Sequence, residues 1–192
     1  MMDRPPRRVG RRRLLAGLCA AGGLAVAGCL GESGDGDAGP VEPVDCSGLA
    51  CDVCGMLIDE HPGPAAQAFF AGGEPEGRDG PARFDTVFEL RTYLAEREAM
   101  GWELRQAFVT DYAAVDYELE RHDGRAHISA HPEADAFVDH TTVHYAVETG
   151  IHGAMGEDFI PFSDGAEAMA FAAEHGGKAV SWGELDAFDV GR

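Results

Sequence analysis

Ala82-Arg83-Phe84-Asp85-Thr86-Val87-Phe88-Glu89-Leu90-Arg91-Thr92-Tyr93-Leu94-Ala95-Glu96 decides the fold, because its pattern occurs twice in the chain. When Phe84 is set on Phe162, Glu89 falls on Glu167, Tyr93 on Phe171 and Glu96 on Glu174, all at one offset. Each copy opens as a short extended run, 82–84 or 159–162, and continues as a helix. Asp85 or Thr86 caps the first helix and Ser163 or Asp164 the second. Behind the caps apolar residues recur at helical spacing: Val87, Leu90 and Leu94, then Ala166, Met169 and Ala173.

Outward from this repeat, each helix is followed by a short apolar strand, 107–110 and 178–182, the latter after the Gly176-Gly177 stop. Each copy is also preceded by a strand able to pair with its extended run: 66–71 with 82–84, and 143–148 with 159–162. The order is strand, strand, helix, strand. One helix laid across a small antiparallel sheet is a stable two-layer unit. The expected fold is therefore α+β: two similar small ββαβ units packed together, residues 46–115 and 116–192, with Phe84, Tyr93, Phe162 and Phe171 in the core. The polar stretch 117–137 between the halves reads as a further hairpin followed by a packed loop.

The leading residues have a different character. Arg4, Arg7, Arg8, Arg11, Arg12 and Arg13 precede an apolar run from Leu14, too short to span a bilayer comfortably, so 1–28 reads as an export signal. Arg11-Arg12-Arg13-Leu14-Leu15 resembles a twin-arginine signal. Val26-Ala27-Gly28-Cys29 resembles the lipobox after which a cysteine is lipidated and becomes the mature N-terminus. Residues 29–45, rich in Gly, Asp and Pro, then form a flexible acidic tether. The expected location is the outer face of the cytoplasmic membrane.

The chain carries a net charge of −19, with 34 acidic residues against a single lysine, Lys178, and six of its 15 basic residues lie in the signal. A nucleic-acid partner is excluded, because the phosphate backbone would be repelled. The acidic residues are dispersed, the pattern of a surface solvated in high salt and expected of an extreme halophile.

Cys51-Asp52-Val53-Cys54-Gly55-Met56 is where chemistry concentrates. Two thiols and a thioether within six residues make a nest for a soft ion, and Cu(I) is the first candidate, since zinc and iron seldom use methionine. The same C-x-x-C is also compatible with a redox pair, a disulfide or half a zinc site. In an extended segment Cys54 and Met56 share a face, whereas Cys51 needs a turn to join them. Met155, between Ala154 and Gly156 in the loop of the second hairpin, lies outside any apolar periodicity and reads as a sulfur ligand from the other half.

With Cys46 and His61 added, the thiols match a structural Cys3His zinc site, the alternative reading, in which the protein serves interactions. A thiol oxidoreductase is weaker still, because no helix start follows the C-x-x-C. Haem attachment needs His where Gly55 stands. No phosphate loop or nucleophile elbow is present, so no enzymatic activity is expected. Six histidines, His122, His127, His131, His140, His144 and His152, lie in one stretch. They read as exposed polar residues, except that His152, close to Met155, is kept as a fourth ligand candidate.

At this point the chain resembles the NosL-type copper lipoproteins, associated with maturation of nitrous oxide reductase. The resemblance is carried by the lipobox at Cys29, the 51–56 segment, Ala82-Arg83-Phe84-Asp85, residues 128–138, Met155-Gly156, Phe162, Phe171-Ala172 and Gly176-Gly177. It implies two ββαβ units and Cu(I) ligation by Cys54 and Met56, with Met155 from the second unit. Cys51 is either an additional ligand or a thiol behind the site, and Cys46 either joins it or pairs with Cys51. The implied function is a membrane-tethered Cu(I) carrier whose acceptor is a cuproenzyme, nitrous oxide reductase or another exported one.

Overall fold

The computed structural model describes residues 39–72 and 75–188. The elements run β1 (Ala66–Ala71), β2 (Ala82–Phe84), α1 (Val87–Ala99), β3 (Glu103–Thr110), β4 (Leu119–His122), β5 (Arg125–Ile128), β6 (Phe137–Asp139), β7 (His144–Val147), β8 (Ile151–Gly153), β9 (Gly156–Glu157), β10 (Ile160–Phe162), α2 (Gly165–His175) and β11 (Lys178–Ser181). Short 3₁₀ turns lie between some of them and after β11. The fold is α+β, as expected. The signal at 1–28 and Cys29 lie outside the described residues. Among the described residues no helix is long and apolar enough to cross a membrane.

Three sheets form, with strand orders β2-β1-β3-β6, β10-β7-β11 and β4-β5-β8-β9. In the first two, the opening strand of each half sits in the centre. Ala66 pairs with Phe84 and Val109, and Ala146 pairs with Ile160 and Ala179. Both helices are capped where the sequence placed the choice. Thr86 Oγ1 accepts the Glu89 amide, and Asp164 accepts the amides of Ala166 and Glu167.

Two features were not legible in the repeat. β6, although it lies beyond residue 116, joins the first sheet by pairing with β3. The loop of the second hairpin is itself structured: it makes β8 and β9, and β8 lies parallel to β5 of the middle stretch. The β4–β5 hairpin closes through Asp123-Gly124, both at positive φ (51° and 83°), the geometry of a two-residue turn matched to strand twist.

The halves share one core. Ala66, Ala68, Phe84, Leu90 and Tyr93 cluster with Tyr145, Val147, Phe159 and Leu185, while Ala146, on the opposite face of β7, packs with Phe162, Ala168 and Phe171 under α2. This follows from strand alternation: β7 is buried on both faces. α1 packs on the first sheet and also meets the second half, where Arg91 lies 5.5 Å from the Phe159 ring centroid and donates to Leu185 O.

The halves are also tied electrostatically. Asp158, 1% exposed, accepts the Val87 amide through Oδ2 and the Phe88 amide through Oδ1, both at 3.1 Å, so a carboxylate of the second half closes the N-terminus of α1. Asp158→Ala leaves the buried Val87 amide and the partly buried Phe88 amide without that acceptor. It is expected to lower stability in urea unfolding by roughly 3 kcal/mol, with Asp158→Asn losing less.

His140 is buried against Trp182, with 4.6 Å between ring centroids, and its Nδ1 donates to Ala107 O at 3.0 Å. Burial lowers its proton affinity below the ordinary imidazole value, against the opposing hydrogen bond and the Asp139 carboxylate 3.5 Å away. A group harder to protonate folded than unfolded gives stability that is full above the unfolded pKa of about 6.5 and lost as pH falls below it. Between pH 7.5 and 5.5 the parent chain should lose more stability than His140→Gln. Equal losses would place the acid sensitivity elsewhere.

Candidate metal centre

The 51–56 segment is a closed loop. An Ala50–Leu57 bridge shuts its neck, the Cys51 amide donates to Met56 O at 2.8 Å, and the Gly55 amide donates to Cys51 O at 3.0 Å. Residues 52–54 turn and Gly55 has φ 77°, so the extended reading of Cys54 and Met56 is corrected. The turn is what Cys51 needs in order to face the same way as Cys54.

Asp52 docks this loop on β2. Its carboxylate pairs with Arg78 and accepts the Arg83 amide at 2.8 Å, while its own amide donates to Arg83 O at 2.8 Å. Arg83 is two residues before Asp85, and the clamp therefore brings the thiols to the start of α1.

There the ligand atoms of Cys51, Cys54, Asp85 and Glu89 lie within 4.8 Å of one another. Cys51 Sγ donates to Glu89 Oε2 at 3.1 Å and Cys54 Sγ to Asp85 Oδ2 at 3.2 Å. Cys51, Asp85 and Glu89 are buried, and Cys54 is half-exposed at the mouth. Burial raises the Cys51 thiol pKa far above its ordinary value, and the hydrogen bond to Glu89 adds to this. Burial also raises that of Cys54, with Asp85 contributing. At neutral pH both thiols hold their protons, and a thiophilic cation would have to displace them to bind there. Asp85 Oδ1 is buried with no hydrogen-bond partner, an acceptor that a bound cation would satisfy.

The other predicted residues are placed as follows. Met56 is half-buried at the end of the loop. Met155, 40% exposed, occupies the turn between β8 and β9. The start of that turn presses on Gly63: a Cβ there would lie 2.6 Å from Gly153 Cα and 3.4 Å from Asp85 O, so only glycine admits the approach. His152 packs on His127, 5.3 Å between ring centroids, and is outside the thiol–carboxylate group.

Cys46 is outside that group too. The three described cysteines are free, so Cys46 is not paired with Cys51. Cys46 is wholly buried beside Ile58 and Ala65, and burial pushes its thiol up to about 11. His61 Nδ1 lies 2.9 Å from Leu57 O. The Cys3His arrangement is not assembled.

Asp85 and Glu89 were missed as site residues. In the sequence Asp85 stands as a cap candidate and Glu89 as one position of the repeat. Their spacing of four residues at a helix start, which puts two carboxylates on one face, was the available signal.

The NosL family pattern matches residues 46–189. The chain is 31% identical over 180 residues, 93% of its length, to the copper-binding lipoprotein NosL of Stutzerimonas stutzeri, of which it covers 82%. It also superposes on the crystal structure of the copper chaperone NosL from Shewanella denitrificans with a TM-score of 0.59 and 25% identity, covering 76% of this chain and 94% of that one. A match over most of the chain, including the thiol loop and both halves of the fold, means that this protein belongs to the NosL family.

Proposed function

We propose that the protein is an exported Cu(I) carrier, tethered to the membrane by a lipid on Cys29, that loads one ion at the 51–56 loop and passes it to an acceptor cuproenzyme. The observation that carries this reading is the convergence of Cys51 and Cys54 in a loop that also bears the Met56 thioether, in a chain of this family. Thiolate and thioether together suit Cu(I) better than zinc. The names of the relatives, a copper-binding lipoprotein and a copper chaperone, support the same assignment.

In this reading Cys54, at the mouth, supplies the thiolate that neutralises the ion, and Met56 supplies a thioether. Cys51 is the second thiol, behind them. Met155 closes the site from the β8–β9 turn, and the seating of Gly153 on Gly63 beside the Asp85 carbonyl favours that role. His152 stays with His127.

Release is ligand exchange: an acceptor displaces the neutral thioethers first and the thiolate last. Exposed Val53 and Met155 offer an apolar rim for its approach. Nitrous oxide reductase is the proposed acceptor, on the family resemblance. The dispersed acidic surface fits a high-salt exterior, and the protein acts as a carrier, without catalysis.

Anaerobic Cu(I) titration against a competing chelator tests this. One tight ion per chain is expected, lost in Cys54→Ser and weakened about tenfold or more in Met155→Leu. An unchanged affinity in Met155→Leu would remove the second half from the site, and tight zinc with no preference for Cu(I) would overturn the carrier reading.

Because the thiol pKa values are raised, loading at neutral pH displaces protons. Apparent Cu(I) affinity should therefore rise with pH, by up to about tenfold per pH unit for each thiol deprotonated. Competition titrations at pH 6.5, 7.5 and 8.5 measure the slope, and a flat profile would mean that the thiols are not the ligands.

A further inference from the structure

The two thiols of the 51–56 loop are also placed to join each other. Residues 52–54 turn between them, with the Gly55 amide donating to Cys51 O at 3.0 Å. A turn brings residues three apart to within about 7 Å between Cα atoms, the reach of a disulfide. The ligand atoms of Cys51 and Cys54 lie within 4.8 Å of each other, and Cys54, half-exposed at the mouth, is open to an external oxidant. Cys46 is no rival partner, because it is wholly buried beside Ile58 and Ala65.

With a small disulfide as oxidant the chemistry is thiol–disulfide exchange. Cys54 Sγ attacks one sulfur of the oxidant and expels its first thiol, and Cys51 Sγ then attacks Cys54 Sγ and expels the second. The Cys51–Cys54 bond forms, the oxidant's sulfur–sulfur bond breaks, and two electrons and the two thiol protons leave as two released thiols. Closure in this way takes both thiolate donors out of the site.

Two buried carboxylates oppose that closure. Cys51 Sγ donates to Glu89 Oε2 at 3.1 Å and Cys54 Sγ to Asp85 Oδ2 at 3.2 Å, with Asp85 2% and Glu89 4% exposed. A disulfide has no S–H to donate, so oxidation strips a donor from each carboxylate. For Asp85 the loss is the greater, since its Oδ1 already lacks a hydrogen-bond partner. A buried carboxylate deprived of its donor is costly, and that cost falls on the oxidised state alone. A dithiol stabilised in this way forms a disulfide that is easily reduced.

We propose that Asp85 and Glu89 are positioning residues that hold Cys51 and Cys54 as a dithiol, keeping the loop open to its ion where disulfide oxidants are present. The pair is a redox gate: the dithiol loads Cu(I) and the disulfide does not. The gating of metal rests on the Cu(I) reading, whereas the bias toward dithiol rests on the thiol–carboxylate hydrogen bonds.

The test is the redox equilibrium of the full chain, with Cys19→Ser and Cys29→Ser to remove the leading thiols, in metal-free buffers of reduced and oxidised glutathione. Intact mass counts the loss of two hydrogens, and peptide fragmentation locates the bond. Asp85→Asn and Glu89→Gln should each shift the equilibrium constant toward the Cys51–Cys54 disulfide by about tenfold, a fall of about 30 mV for a two-electron couple. Urea unfolding of the reduced proteins verifies the fold, and either variant alone suffices for the comparison. An equilibrium constant unmoved by both substitutions, or no Cys51–Cys54 bond in any of the three proteins, overturns the proposal. The oxidised parent should bind no Cu(I) at the loop and should recover binding after reduction by dithiothreitol and its removal. Cu(I) affinity retained in the oxidised protein overturns the gate. A reduced parent that binds no Cu(I) counts against the carrier reading instead, because the redox equilibrium is measured without copper.

Discussion

Asp158 is the point on which the architecture turns. A carboxylate held 1% exposed is tolerated only where strong donors meet it, and the free amides of Val87 and Phe88 at the positive end of α1 are such donors. The bond fixes the first helix against the second half of the chain. It thereby positions Asp85 and Glu89, and it holds the β8–β9 hairpin, three residues upstream of Asp158 at Met155, over the same helix start.

The thiol loop reaches that place by a second carboxylate. Asp52 binds the backbone and side chain of Arg83 and the side chain of Arg78, so the loop between the thiols is pinned to β2 at both its amide and its carboxylate. The product is a pair of thiol–carboxylate hydrogen bonds, one deep and one at the surface. Burial keeps the protons on sulfur, which makes the apo site uncharged at the thiols and leaves loading to a cation able to expel those protons.

Much of the scaffold was legible before any coordinates. The helical spacing after Phe84 and Phe162, the Thr86 and Asp164 caps and the strands on either side were readable because each depends on residues near one another in the chain. The Cys51–Met56 segment was legible for the same reason. The third sheet was not, since β5 and β8 are short and pair in parallel across distant sequence, where no periodicity announces a partner. The histidines show no i, i+4 pair on a helix in the sequence, so their spacing along the chain marks no site. Strand pairing is what places His127 beside His152.

The sequence by itself determined the α+β class, the duplicated helix and strand pattern, and the gathering of two thiols and a thioether in one short segment, because hydrophobic period, caps and residue spacing are local properties. Only the tertiary structure decided what surrounds that segment. Glu89 became a buried acceptor for Cys51 because α1 turns its first face toward the docked loop. Cys46 was set apart from the thiol pair because it is buried in the small cluster with Ile58 and Ala65. Those outcomes depend on burial and on contacts between residues tens of positions apart, which the order of residues along a chain does not express.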